Sequence, residues 1–399
     1  MNDEDWYAEG KKRIAIIDTL RGIALLGIFF VNMPAFFSPW LYLNPSEYWK
    51  DGLDQALSVF VDLFFQGSFY PLFAFLFGYG AVLMSESLQG KGLSFPLYFS
   101  RRLLILLVFG MLHAFLIWHG DILMTYAVCG LVFLLFYKRK PGTMLAIGLV
   151  TYGMINGMLV LSSLSLNQGE ALGILYDPEA VRISIEAYQN GPYSELFNRR
   201  FTEWASVNGP FGMGLQLLSI VPMMLAGGAL AKQKWLENAG DKKGMVAALA
   251  VCSLIFGLFL KLAPYLPSFK EYPYTALLVQ DQFGGPLLTL FYIAAIVLLG
   301  RLKTFRKTLT AVSYAGRLSL SNYLFQSLLS TSLFYSYGLG LYGQLSYKSG
   351  FCLVIFIYAG QLIFSKWWLE RFRYGPAEYI WRWGTYGEKP VFRKGGRKR

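Results

Sequence analysis

Ten windows of mostly apolar residues, each about 18 residues or longer, recur along the 399-residue chain. They cover residues 14–37, 67–88, 101–118, 121–137, 143–164, 210–231, 245–263, 283–300, 308–334 and 349–370. Backbone N–H and C=O groups in hydrocarbon must be satisfied within the spanning structure, which only helices and closed barrels achieve, and these lengths are helical. The predicted fold class is all-α: a polytopic membrane helix bundle of about ten transmembrane helices. Charged residues make up 15% of the chain, well below the quarter or so found in soluble domains, which excludes an ordinary soluble enzyme.

The basic residues orient the bundle. With both termini cytoplasmic, the inner segments hold Lys11, Lys12 and Arg13, then Lys91, Arg101 and Arg102, then Lys138, Arg139 and Lys140. Lys232, Lys234, Lys242 and Lys243 follow, then Arg301, Lys303, Arg306 and Lys307, and finally the basic tail. Every inner segment is basic, as the positive-inside rule requires. The net charge of +12 therefore reports topology, and no nucleic-acid motif accompanies it. The first apolar run exceeds a signal-peptide core and lacks a cleavage site, so it is expected to be retained. No repeat or low-complexity tract divides the chain, so residues 1–399 are expected to form a single integral membrane domain. Its distinct parts are a long outer loop at 166–209, a candidate lid, and an interfacial aromatic and basic tail at 371–399. Cys129, Cys252 and Cys352 each fall in an apolar run without metal or redox spacing, so neither a disulfide framework nor a metal site is expected.

Function must reside in the polar residues that these spans carry. Asp18, Arg21 and Asn32 lie on the first; in a helix Arg21 and Asn32 share one face about 16 Å apart, with Asp18 one turn below Arg21. Such a stripe either faces a cavity or pairs at the inner interface as an anchor. Asp62 and Gln66 are one turn apart on a short amphipathic piece that is expected to lie on the outer surface and bend into the second span near Gly67. His113 lies in the outer half of the third span. His119, Gly120 and Asp121 form the tight turn into the fourth, where Asp121 can cap the helix or orient His119 as a general base. In the ninth span Ser313, Arg317 and Ser321 stack at four-residue spacing and Asn322 and Gln326 form an adjacent pair. Arg317, too deep to reach water unaided, is expected to bind an anion, whereas Ser321, Asn322 and Gln326 also suit interhelical packing. Lys261, near an outer end, is expected to snorkel to water. Gly375-Pro376 breaks the last helix, and the final FRKGGRKR suits contact with anionic lipid.

Four motifs together carry a resemblance: IDTLRGIALLGIFFVN, GDIL followed by Tyr126-Ala127, GRLSLSNYLFQS, and YGPAEYIWRWGTYG. Over essentially the whole chain they resemble the YeiB-type bacterial membrane proteins. That family is grouped with the transmembrane acyltransferases, among them heparan-alpha-glucosaminide acetyltransferase, which moves acetyl groups from cytosolic acetyl-CoA to a sugar amine. The resemblance implies a multi-pass protein of the bacterial cell membrane. It further implies acyl-CoA, acetyl-CoA for instance, as co-substrate with no tightly bound cofactor, and an extracytoplasmic acceptor. Related sugar acyltransferases place an Arg and a His on the first helix, and this chain has Asn32 where that His would stand. The base is then expected from His119, oriented by Asp121, or from His113, with Asn32 donating to the oxyanion. Asp18, Arg21, Asp62, Gln66, His113, Arg317, Ser321, Asn322 and Gln326 are the candidate substrate-binding residues. The alternative is a permease, or a non-enzymatic protein that binds a lipid or a small anion, using the same polar stripes. The lipid bilayer is the expected partner in either case, and either is compatible with a homo-oligomer.

Overall fold

The computed structural model describes residues 15–173, 176–239 and 242–394. The principal helices are α1 (Ala15–Phe37), α2 (Gly52–Phe64), α3 (Phe69–Gln89), α4 (Phe95–Ile117), α5 (Leu123–Phe133) and α6 (Pro141–Ser163). There follow α7 (Pro178–Asn190), α8 (Tyr193–Asn208), α9 (Pro210–Lys232), α10 (Lys243–Lys261) and α11 (Pro273–Leu299). The chain continues through α12 (Lys303–Arg317), α13 (Ser319–Phe334), α14 (Tyr347–Arg371) and α15 (Pro376–Tyr386). Among the described residues the only extended pairing outside helices is a single bridge between Phe372 and Arg393. The protein is an all-α polytopic bundle.

Eight helices among the described residues are long and apolar enough to cross a membrane. The two remaining expected spans are shorter than the sequence suggests. The fourth survives as α5, 11 residues long, roughly half the length that crosses a bilayer core. The ninth is not one helix. It breaks at Leu318, whose backbone (φ −107°, ψ 29°) leaves the helical region, and Ser313, Arg317 and Ser321 therefore do not share a continuous face. The physical reason lies in the tail: the carboxylate of Glu378 accepts the amide hydrogens of Leu320 at 2.8 Å and Ser321 at 3.1 Å, capping a new helix start. The expected bend into the second span does occur, at Gly67 with φ +67°, between α2 and α3.

The helix α1 lies at the centre, with 61% of its apolar window buried, against 17% for the peripheral α10. The outward faces of α4, α6, α10 and α14 instead expose large apolar side chains such as Leu104, Met154, Phe259 and Phe356. That is how a bundle solvated by lipid must distribute its apolar surface. Cys252 and Cys352 are on such exposed positions, and only Cys129 packs in the interior.

Segments expected on the same side of the membrane meet one another. At one end Lys232 donates to the Arg139 carbonyl at 2.7 Å, Trp381 to the Arg102 carbonyl at 2.8 Å, and the Tyr79 hydroxyl to Glu237. At the other end the amide of Asp177 donates to Tyr42 at 2.9 Å, that of Gly343 to Phe37 at 2.7 Å, and that of Lys348 to the Asp54 carboxylate at 2.9 Å. We call these ends inner and outer. The tail is part of the inner end: α15 packs along α4, and Ser321 accepts the amide hydrogen of Ala377 at 3.0 Å. The N-terminal basic run and residues 395–399 of the polybasic terminus lie outside the described residues.

Candidate functional site

Both histidines sit at the outer end, where α4 finishes in a π-turn over His113–Ile117, a local widening of the helix that is common at functional sites. The chain then reverses through Trp118–Ile122. Gly120 permits the reversal, since a β-carbon there would lie 2.2 Å from the Trp118 ring. Gly110 gives the returning chain room on α4: a β-carbon on it would lie 2.5 Å from the Met124 nitrogen and 2.9 Å from the Asp121 carboxylate. Asp121 is thereby folded back onto the helix it follows.

This geometry exchanges the expected partners. Asp121 does cap α5, accepting the Met124 amide hydrogen at 2.8 Å. Its other oxygen lies 2.8 Å from Nδ1 of His113, not of His119, and neither side chain of this pair has exposed surface. The expected pairing of Asp121 with His119 is not formed, because the π-turn and the Gly120 reversal bring residue 113 rather than residue 119 to the carboxylate. Nε2 of His113 is buried and has no hydrogen-bond partner among the described residues; the Tyr323 ring lies alongside, centroids 5.1 Å apart.

His119 takes its carboxylate from the long outer loop, which folds into the α7–α8 hairpin. Its Nδ1 is 3.0 Å from Oε2 of Glu203, a charge-pair distance but out of line for a hydrogen bond. Glu203 also accepts from the Tyr188 hydroxyl at 2.6 Å and from Arg199 Nε at 2.9 Å. The neighbouring Arg200, wholly buried, donates to the carbonyls of Leu116 and Ile117 at 2.9 and 3.1 Å, satisfying the open end of the π-turn. Glu203, Arg199 and Arg200 were visible in the sequence only as loop charges; nothing in their spacing tied them to His119, more than two helices earlier in the chain.

Burial pushes the His119 imidazole below its ordinary range, while Glu203 pulls it back up and Arg199, Arg200 and His113 push it down. A folded pKa below the unfolded value of about 6.5 means that the unfolded chain takes up the proton first. This contribution to stability is therefore fully present above pH ~6.5 and is lost as pH falls below it. Melting in detergent between pH 8 and pH 5 is expected to decline more steeply for the wild type than for His119→Gln; equal slopes would remove His119 from this account.

The other sequence candidates fall into separate groups. Asn32 is half-buried in the outer half of α1. That helix reaches the histidine loop through Phe36, whose ring centroid is 4.2 Å from that of Trp118, but no hydrogen bond among the described residues joins Asn32 to either histidine. Asp62 accepts from Gln280 and from Tyr265. Beside it the Gln66 carbonyl accepts from Lys261 at 2.9 Å. Lys261 does not snorkel: it is wholly buried and stands 3.3 Å from Asp281, because the π-turn of α11 at Gln280–Gly284 presents that carboxylate to it. At the inner end Asp18 and Arg21 pair at 3.2 Å, and Arg317 is half-buried at the end of α12. Ser321 holds the tail. Asn322 donates to Ser365 at 3.0 Å and Gln326 to Gln361 at 2.9 Å, joining α13 to α14. No cluster of three or more His, Cys, Asp or Glu suited to a metal occurs among the described residues.

Fold and site together define a multi-pass α-helical membrane protein with buried histidine–carboxylate pairs at its outer end, a half-buried Asp18–Arg21 pair at its inner end and a helical hairpin over the histidine loop. The family model described as "Protein of unknown function (DUF418)" matches residues 230–388. The uncharacterized protein YxaH of Bacillus subtilis (strain 168) is 34% identical, covering 96% of this chain and 97% of its own length. The uncharacterized protein YeiB of Escherichia coli (strain K12) is 30% identical, covering 93% and 96%. The chain belongs to this DUF418, YeiB-type family.

Proposed function

We propose that the protein is an acyltransferase of the bacterial cell membrane that moves an acyl group from a CoA thioester to a small-molecule, sugar or lipid acceptor. The observation that supports this reading is the buried His113–Asp121 pair with an unpartnered Nε2. An Nδ1 proton held toward Asp121 leaves the lone pair on Nε2, the state of a general base. Nε2 takes the proton of the acceptor hydroxyl or amine as that atom bonds to the thioester carbonyl carbon. The C–S bond then breaks, and the imidazolium returns the proton to the CoA thiolate. The indole N–H of Trp118, buried and without a partner among the described residues, takes over the oxyanion role expected of Asn32. His113 and Asp121 have no exposed surface, so access requires Trp118 or the α7–α8 hairpin to give way, as a lid does.

A second reading, a permease or a protein that binds a lipid or small anion, is favoured by Lys261, wholly buried and paired with a half-buried Asp281, since a charge held inside a bundle commonly marks an ion path. The two readings separate on purified protein. Acyl transfer predicts release of free CoA thiol from acetyl-CoA or longer acyl-CoAs, accelerated by an acceptor. Accumulation of substrate in vesicles, unaffected by substitution of His113 and without thiol release, would replace acyl transfer by transport.

A further inference from the structure

Beneath the α7–α8 hairpin one buried guanidinium is only half used. Arg200 of α8 has no exposed surface. Its Nη1 donates to the Leu116 and Ile117 carbonyls at 2.9 and 3.1 Å, and its guanidinium carbon lies over the Tyr193 ring, 4.9 Å from the centroid. Its Nε and Nη2 are buried without a hydrogen-bond partner among the described residues; the Tyr337 hydroxyl stands nearby but outside hydrogen-bond geometry. The acid one turn along α8, Glu203, is engaged by Arg199, Tyr188 and His119.

Which nitrogens are left over decides what they suit. The guanidinium is rigid and planar, and the N–H bonds of Nε and Nη2 run parallel along one edge, the edge that holds the two oxygens of a carboxylate or phosphate. Satisfying the end of the π-turn takes Nη1 alone, so a purely structural role accounts for one side of the group and leaves the fork empty-handed. A wholly buried cation with two idle nitrogens is costly, and an anion on the free edge removes that cost. The same tyrosine cluster holds another idle group: the Tyr335 hydroxyl, on a side chain with no exposed surface, also has no partner among the described residues. Its ring meets Tyr337 at 5.9 Å between centroids, and Tyr337 meets Tyr193 at 5.9 Å. Tyr193 is fixed by its hydrogen bond to the Leu116 carbonyl at 2.9 Å. Tyr337, 42% exposed, is therefore the side chain that turns aside to let a ligand in from the outer face.

We propose that Arg200 is the anchor of an oxyanion-binding site beneath the α7–α8 hairpin, taking a carboxylate or phosphate group on its Nε–Nη2 edge. The proposal deepens the acyl-transfer reading, and rests on it only in naming the acceptor as an anionic molecule; binding itself does not depend on catalysis. The anion has two sources, a small molecule from the outer aqueous phase or the headgroup of an anionic lipid.

The test uses the full chain in a maltoside detergent, which carries no anion. Acetate, inorganic phosphate and acetamide, the neutral counterpart of acetate, are titrated by calorimetry, and phosphatidylglycerol retained through purification is measured by native mass spectrometry. Arg200→Lys keeps the charge and most of the stem but loses the fork. The expected result is saturable binding of acetate or phosphate that acetamide does not reproduce and that Arg200→Lys weakens about tenfold or more. Phosphatidylglycerol retained by the wild type and lost in Arg200→Lys, with no binding of the soluble anions, upholds the site with lipid as its source. Binding of no anion and no lipid, or equal binding by a well-folded Arg200→Lys, overturns the site. Should that variant melt early, the wild type still decides: acetamide binding as well as acetate, with no retained lipid, excludes an oxyanion grip. His113-dependent thiol release is measured separately, so that its presence without anion binding leaves the catalytic reading standing, and its absence with anion binding leaves the site standing without an acceptor role.

Discussion

Asp121→Asn is expected to lower the turnover of acyl transfer at least 100-fold while leaving the protein folded. General base catalysis contributes factors of roughly 10² to 10⁴. The substitution removes the anion that fixes the His113 tautomer, yet keeps an oxygen that can accept the Met124 amide hydrogen and preserve the cap on α5. This makes it a cleaner probe than replacing His113, which leaves a carboxylate without exposed surface and without its partner, a loss that costs roughly 3–5 kcal/mol when a buried pair is broken. His119→Gln supplies the contrast. His119 is tied to the α7–α8 hairpin by Glu203, so its variant should retain turnover within a few-fold. The measurement is acceptor-dependent thiol release by purified protein, with melting temperatures alongside. Full activity in Asp121→Asn, or an equal loss in both variants, would sink the assignment of the base to His113.

That assignment shows where the sequence stopped being informative. Apolar windows and basic loops were enough to locate eight of the ten expected spans, because lipid imposes the same demand on every helix regardless of its neighbours. The bend at Gly67 was legible for a similar local reason. The histidine pairing was not. His119 and Asp121 are two residues apart, and only the close approach at Gly110 and the turn at Gly120 show that the carboxylate is carried back to His113. Nor was the break at Leu318 legible, because the Glu378 that caps the new helix is nearly 60 residues farther along. Lys261 shows the same limitation: depth in a span predicts snorkelling only if no acid faces the residue, and Asp281 does. In each case the missing information is a contact between elements distant in sequence, and at the site those contacts decide the chemistry.

Gly78→Ala is expected to destabilise the bundle by several kcal/mol, and Gly227→Leu to abolish a monodisperse folded peak on size exclusion. The two glycines make α3 and α9 touch backbone to backbone. A β-carbon on Gly78 would lie 1.9 Å from the Met224 carbonyl oxygen, and one on Gly227 would lie 1.9 Å from that of Phe75. Each glycine thus faces a carbonyl three residues from its counterpart, so a single additional methyl has to push the helices apart along the whole contact. Side chains can rotate out of a clash, but a helical carbonyl cannot, so the cost should lie at or beyond the upper end of the 1–3 kcal/mol typical of overpacking. Close approach through small residues is also the main packing device for helices in lipid, where apolar burial between them gains little. Once one β-carbon has separated the pair the second meets less resistance, so Gly78→Ala with Gly227→Ala should cost less than the sum of the single changes. Gly153→Ala is the control: it faces open space on α6, and it should be neutral or slightly stabilising through helix propensity. Thermal melting in one detergent compares all four. A Gly78→Ala protein that melts with the Gly153→Ala control would mean that α3 and α9 do not pack at backbone distance.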